Sequence, residues 1–156
     1  MITQPTIPQL LETIRDELGD KVLPHVDDAP TKVNIEMMQA VLNQLIERSE
    51  HEISWMTNEI DAIEDAAERL TPTLSHSDAL DAAVANFTSN RAESMQLSAV
   101  TADYQRACEV LSCLGEAAYT AGNEAAVGDV QALLNARLAT ENAAVGEFIA
   151  VGRDSA

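Results

Sequence analysis

Arg48 and Glu52 stand one helical turn apart in a stretch whose other positions at that spacing are apolar, and Trp55 follows at the next turn. At about 100° per residue both charges fall in the angular window of Val41, Leu45, Met56 and Ile63, with Glu59 at its edge. A charged pair inside an apolar stripe has to be paired, solvated or put to use. One reading is an i,i+4 ion pair where the stripe reaches solvent or a subunit boundary. The other is a polar pocket in which the planar guanidinium of Arg48 holds a carboxylate or phosphate and Glu52 and Trp55 line the walls, suited to an acyl or acyl-CoA-like molecule. The acidic neighbours Glu47 and Glu50 work against an anion there.

Other chemistry is thinly represented. Glu47 one turn before His51 makes half of a metal site, but a carboxylate-bridged centre in a bundle needs Glu-x-x-His pairs on two helices, and the chain has none. His25 and His76 fall in expected loops beside Asp27, Asp28 and Asp78, as solvent-facing histidines do. Cys108 and Cys113 are five residues apart on one expected helix, about 140° around it, so they cannot pair with each other. No cluster of basic residues accompanies them to favour a thiolate, so both read as reduced structural thiols. There is no His-Glu-x-x-His, no phosphate-binding glycine loop and no nucleophile elbow, so hydrolytic or nucleotide-dependent catalysis is not expected, nor is a cofactor. Met37, Met38 and Met56 beside Trp55 suit either core packing or a soft groove for an acyl chain or a partner helix.

These residues sit on a chain that must be helical. Between Pro30 and Pro72, and again from Pro72 to Gly115, about forty residues at a time pass without Gly or Pro, the two residues that punctuate strands and turns. With 156 residues, 46% of them hydrophobic and 22% charged, one ordered domain over 1–156 is expected. Only 3% is aromatic, so the core must be built from Leu, Ile, Val, Met and Ala, which favours close-packed helices over a β-sandwich.

The charge excludes some partners. A formal net charge of -17 repels phosphate backbones and anionic headgroups, so neither nucleic acid nor a membrane surface is an expected partner. No stretch reaches the roughly 18 apolar residues of a membrane span, and the N-terminal Met-Ile-Thr-Gln-Pro lacks the basic and apolar regions of a signal peptide. A cytoplasmic location is the expectation.

Five helices can be drawn. Thr6, Pro8 and Gln9 make a capped start for the first, with Leu10, Leu11, Ile14, Leu18 and Val22 on one face and an end near Leu23, before Pro24. Thr31 is the expected cap of the second, whose stripe of Met38, Val41, Leu42, Leu45, Met56, Ile60, Ile63, Ala67 and Leu70 spans roughly 60 Å if unbroken. A helix that long either bends near Ser49 to Ser54 or projects into a partner. A short third helix begins at Ser75 or Ser77 and carries Leu80, Val84 and Phe87. The fourth starts near Arg91, turns Leu97, Val100, Tyr104, Ala107, Leu111, Leu114 and Ala118 inward, and stops at Gly122. Asn123 caps the fifth, with Val127, Val130, Leu134, Leu138, Val145 and Ile149 inward, and residues 152–156 are expected to fray.

Two stretches also resemble a known family. The first comprises Gln4, Pro5, Thr6, Leu10, Leu11, Ile14, Arg15, Leu18, Val22, Leu23 and Pro24, then Lys32, Val33, Val41 and Leu42 leading to Arg48. The second runs over 130–142, with Leu133, Leu134, Ala136, Arg137, Leu138, Ala139 and Asn142; Ala143 stands where the family carries proline. Together these cover about half the chain. They resemble an uncharacterised bacterial all-helical family encoded beside acyl-CoA dehydrogenases and aminoglycoside-phosphotransferase-like proteins. The resemblance implies an accessory role near that chemistry and transfers no catalytic residue.

The sequence therefore predicts an all-α bundle of four to five helices with an unusually long second helix. Two functions fit it: a non-enzymatic helical accessory or interaction module that self-associates as a homo-oligomer, with a protein partner allowed, or a small-ligand protein with a pocket at Arg48, Glu52 and Trp55.

Overall fold

The computed structural model describes residues 4–145, with the side chain of Val145 excepted. The fold is all-α, a helical bundle in which five α-helices follow one another without a strand among the described residues: α1 (Ile7–Glu17), α2 (Ala29–Leu70), α3 (Asp78–Ser89), α4 (Leu97–Thr120) and α5 (Glu124–Val145). The second helix is unbroken over 42 residues. By proximity the chain forms two compact units, one taking in residues up to Glu52 and those from Glu141 onward, the other Ile53–Thr140.

In the first unit, α1 starts as its sequence predicts, with Pro8 in the first turn and the Thr6 N–H donating to Gln9 Oε1 at 2.9 Å. Regular α geometry ends at Glu17, earlier than Leu23, but the chain stays helical through a wider π turn, Leu18–Val22, and a 3₁₀ turn, Leu23–His25. Pro24 has no N–H to continue the α ladder, and the widened turn absorbs that gap. Gly19 leaves room within it for the end of a side chain from α2, since a Cβ there would lie 2.5 Å from Nε2 of Gln39 and would displace that amide. The same Gln39 Nε2 donates to Arg15 O at 3.3 Å, and Arg15 Nη1 donates to Asn43 Oδ1 at 3.0 Å, lacing α1 onto the first half of α2.

The start of α2 lies three residues before the expected one. Asp28, not Thr31, is the cap: its Oδ2 accepts from Thr31 N at 3.0 Å and from Thr31 Oγ1 at 2.6 Å. Pro30 sits inside the first turn, where a missing N–H costs nothing. The two bonds from Thr31, the hydroxyl's first, hold the Asp28 carboxyl below its ordinary pKa.

The second unit has a closed core. Ile63, Leu114, Ala107 and Ala118 are fully buried, and the expected line of Ile60, Ile63, Ala67 and Leu70 on α2 faces α3, α4 and α5. Seven of the 17 core residues are alanine, so helix backbones approach closely and few aromatic rings are needed. Gly115 serves the same approach, since a Cβ there would meet Val130 Cγ1 at 3.4 Å. Ser77 caps α3 by accepting from Leu80 N at 3.4 Å. Gly122 ends α4 with φ 63°, and Asn123 Oδ1 accepts from Ala126 N at 3.1 Å to open α5.

Helix α4 begins at Leu97, six residues later than Arg91 (97 − 91). Residues 91–96 form an irregular segment because a buried carboxylate offers its backbone a better partner. Asp103, 6% exposed, accepts from Ala92 N at 3.0 and 3.2 Å, while Arg106 bonds both that carboxylate and Asn90 O. Leu97, expected inward, is consequently at the helix mouth and 47% exposed.

On α5 the inward line is Ala126, Val130, Leu133 and Arg137; Leu134 and Leu138, expected inward, are 46% and 54% exposed. Val127 and Val130 pack into the core as expected, but beyond them the inward line shifts by one position, to Leu133 and Arg137, because a charged residue occupies it. The expectations for the Val145 side chain, Ile149 and residues 152–156 lie outside the described residues.

Two stability outcomes follow. Leu114→Ala, at 0% exposure, is expected to cost about 2–5 kcal/mol in denaturant unfolding, against about 0.5 kcal/mol or less for Met95→Ala at 66% exposure. Asp28→Ala is expected to speed amide exchange at Thr31. In the parent chain the same protection, present above the unfolded carboxyl pKa, is lost as pH falls through the depressed folded value, which exchange measured across the acid range checks.

Candidate functional site

Of the 19 buried hydrophobic residues among those described, two, Ile35 and Ile46, belong to the first unit. Of the 13 large hydrophobic residues left exposed, eight do. On α1 these are Ile7, Leu10 and Ile14, 65%, 48% and 51% exposed, with Val22 in the turn beyond at 43%. On α2 they are Met37, Met38, Val41 and Leu45, 55%, 54%, 54% and 41% exposed.

The expected stripe on the first half of α2 is therefore split: Leu42 turns toward α1, while Met38, Val41 and Leu45 do not. Leu11 and Arg15 of α1, with Leu18 of the π turn that follows, are set against a neighbouring line of α2, Ile35, Gln39, Leu42 and Ile46, which recurs at i, i+4, i+7 and i+11. Gln39 in that line disguised it as polar. Met38, Val41 and Leu45 stay open at alternating spacings of three and four residues, as Ile7, Leu10 and Ile14 do on α1, which is the spacing of a helix–helix seam.

Arg48 and Glu52 continue that seam at the same spacing. They bond each other, Arg48 Nη2 donating to Glu52 Oε1, with side chains 52% and 29% exposed. Trp55, three residues further along α2, is half-buried and engaged with neighbours. His51 Nε2 lies 4.0 Å from carboxylates of both Glu47 and Glu50. Among the described residues no group of three His, Cys, Asp or Glu is placed to hold a metal ion. His76 lies exposed between Asp78 and Asp81, at 2.9 and 3.0 Å.

The second unit contains a polar cluster that spacing alone did not reveal. Tyr104 Oη on α4 donates to Glu59 Oε2 on α2 at 2.9 Å and accepts from Arg137 Nε and Nη2 on α5 at 3.1 and 2.8 Å. Arg137 Nε also lies 2.7 Å from Glu59 Oε1, a charge contact without the direction of a hydrogen bond. Arg137 Nη2 reaches Cys108 Sγ at 2.6 Å, and the guanidinium carbon stands 5.3 Å from the Tyr104 ring centroid. A basic partner for Cys108 thus exists, on another helix and 29 residues away. Cys113 has none of this; burial and then the charges of Glu109 and Glu116 push its thiol up.

Burial, followed by the bond to Glu59, pushes the Tyr104 phenol up to about 12, against the pull of Arg137. Burial works against the Arg137 charge, but bonds to Cys108 and Tyr104 and the charge of Glu59 outweigh it and raise its pKa. Phenol and guanidinium both keep their protons at neutral pH, so the cluster is a tie between three helices rather than a proton-transfer pair. Glu59 at the edge of its stripe and Arg137 at helical spacing from Val130 and Leu133 were the available signals; their meeting across 78 residues (137 − 59) was not.

Among the described residues no helix is long and apolar enough to cross a membrane. Comparison with protein-family models, with curated proteins and with solved structures gives no match.

The Tyr104 phenol gives a pH signature. Above its ordinary 10.0 the unfolded chain loses the proton first, so the stabilisation is complete below that pH and is lost as pH rises through about 12. In a Tyr119→Phe background, absorbance at the phenolate band is expected to titrate with a midpoint near 12, and Tyr104→Phe is expected to remove this part of the alkaline loss of stability.

Proposed function

We propose that this chain is a non-enzymatic helical interaction module that self-associates. The observation that carries the reading is the open apolar face of the first unit, where, among the described residues, eight large hydrophobic side chains are exposed and two are buried. A pair of helices with so little interior is marginal alone in water, and exposed apolar area of this extent marks an association site. The Arg48–Glu52 bond supports the ion-pair reading of those residues over the pocket, because the guanidinium is already engaged by a carboxylate. The family resemblance supports an accessory role beside acyl-CoA or phosphotransferase enzymes.

Sedimentation equilibrium is expected to give a multiple of 16.8 kDa. Leu10→Glu with Val41→Glu is expected to weaken association by about a thousandfold or more, since each of the two glutamates would have to be desolvated at roughly 2 kcal/mol or above. Tyr119→Glu, equally charge-adding at an 82% exposed site of the second unit, is expected to leave association unchanged. With a net charge of -17 per chain, added salt is expected to strengthen association by screening repulsion. A parent chain that sediments as a monomer at all concentrations overturns the proposal.

A further inference from the structure

We propose that the occupant of the seam is a second copy of this chain, with α2 lying antiparallel on α2 about a two-fold axis at Val41, so that two α1–α2 hairpins close into a four-helix bundle. This deepens the self-association reading and rests on it.

Three observations select this occupant. The first is extent: eight apolar side chains left open by about half amount to on the order of 600 Å² per copy, comparable with the roughly 800 Å² per partner of a standard interface. The second is form. Each hairpin presents two seams at spacings of three and four residues, and two such hairpins supply the four apolar edges that a bundle core needs. An interface between like patches is satisfied by a two-fold axis, on which Val41, the middle of Met38, Val41 and Leu45, is its own partner while Met38 meets Leu45 of the second copy.

The third is charge, and it decides direction. Arg48 and Glu52, seven and eleven residues after Val41, fall within about 20° of it around the helix and so on the contact itself. Parallel packing would set Arg48 beside Arg48 and Glu52 beside Glu52 of the second copy, like against like, whereas antiparallel packing about Val41 places them at opposite ends of the contact. Antiparallel packing also opposes the two helix dipoles.

Disulfide trapping tests the arrangement in the full chain with Cys108→Ser and Cys113→Ser, each variant first checked for helicity by circular dichroism. Under oxidation by diamide, Val41→Cys is expected to form a cross-linked dimer. Met38→Cys mixed with Leu45→Cys is expected to cross-link as the mixed pair, and neither alone. Cross-linking of Met38→Cys with itself would overturn the antiparallel direction. A dimer by sedimentation that gives none of these cross-links would overturn the seam as the interface, whereas a monomer would overturn the reading on which this inference rests.

A second measurement uses the unmodified chain. Peroxide oxidation of Met38 is expected to slow severalfold as protein concentration carries the chain into the assembled state, with Met95, 66% exposed in the second unit, unchanged. Equal behaviour of the two methionines would overturn the proposal.

Discussion

A helix that carries apolar side chains along its whole length has to be covered along its whole length, and α2 runs for 42 residues. From Ile60 to Leu70 the covering is complete: Ile63 is wholly buried and Ala66, Ala67 and Leu70 are nearly so. From Ile35 to Ile46 one helix, α1, lies against one line of side chains, and among the described residues nothing covers the adjoining line of Met38, Val41 and Leu45. Apolar burial is non-directional and proportional to area, so it supplies the same drive to cover both stretches. Within the chain that drive is met in one and left over in the other.

The polar contacts fall where this drive needs direction. In the second unit alanine and glycine let α4 and α5 approach closely, but small side chains interlock weakly and specify rotation about a helix axis poorly. Arg137, Tyr104 and Glu59 supply that specificity by joining three helices through one hydroxyl and one guanidinium. A half-buried pair of opposite charges adds little net stability and penalises every arrangement that separates it. Asp103 acts likewise on the segment between α3 and α4, accepting from the N–H of Ala92 and from Arg106 and so fixing where α4 begins.

Helix identity was legible because Gly and Pro are missing from the long stretches and because Gly122, Ser77 and Asn123 act as stop and caps through local geometry. The phase of each helix was less legible. On α2 the buried line holds Gln39 and on α5 it holds Arg137, so the most hydrophobic line of the sequence is not the most buried. Asp28 displaced Thr31 as the cap because its carboxylate accepts two bonds from that threonine, whereas the Thr31 hydroxyl has to donate its own. The cluster around Tyr104 was out of reach because its partners lie 29 to 78 residues apart, while local spacing speaks only for residues three or four apart.

An acidic surface and an open apolar face make a workable combination. At a net charge of -17, two copies repel at a distance, and unspecific clumping of exposed leucines and isoleucines has to overcome that repulsion in every orientation. Only an arrangement that buries enough apolar area at once, while keeping like charges apart, has a net gain. Arg48 and Glu52 fit this logic at the end of the seam, because a bonded pair of opposite sign inserted in an apolar line tolerates a polar or matched surface opposite it and disfavours a shifted register that would press apolar side chains upon it. The charged interruption that first marks the second helix then acts as a limit on how far the apolar seam extends.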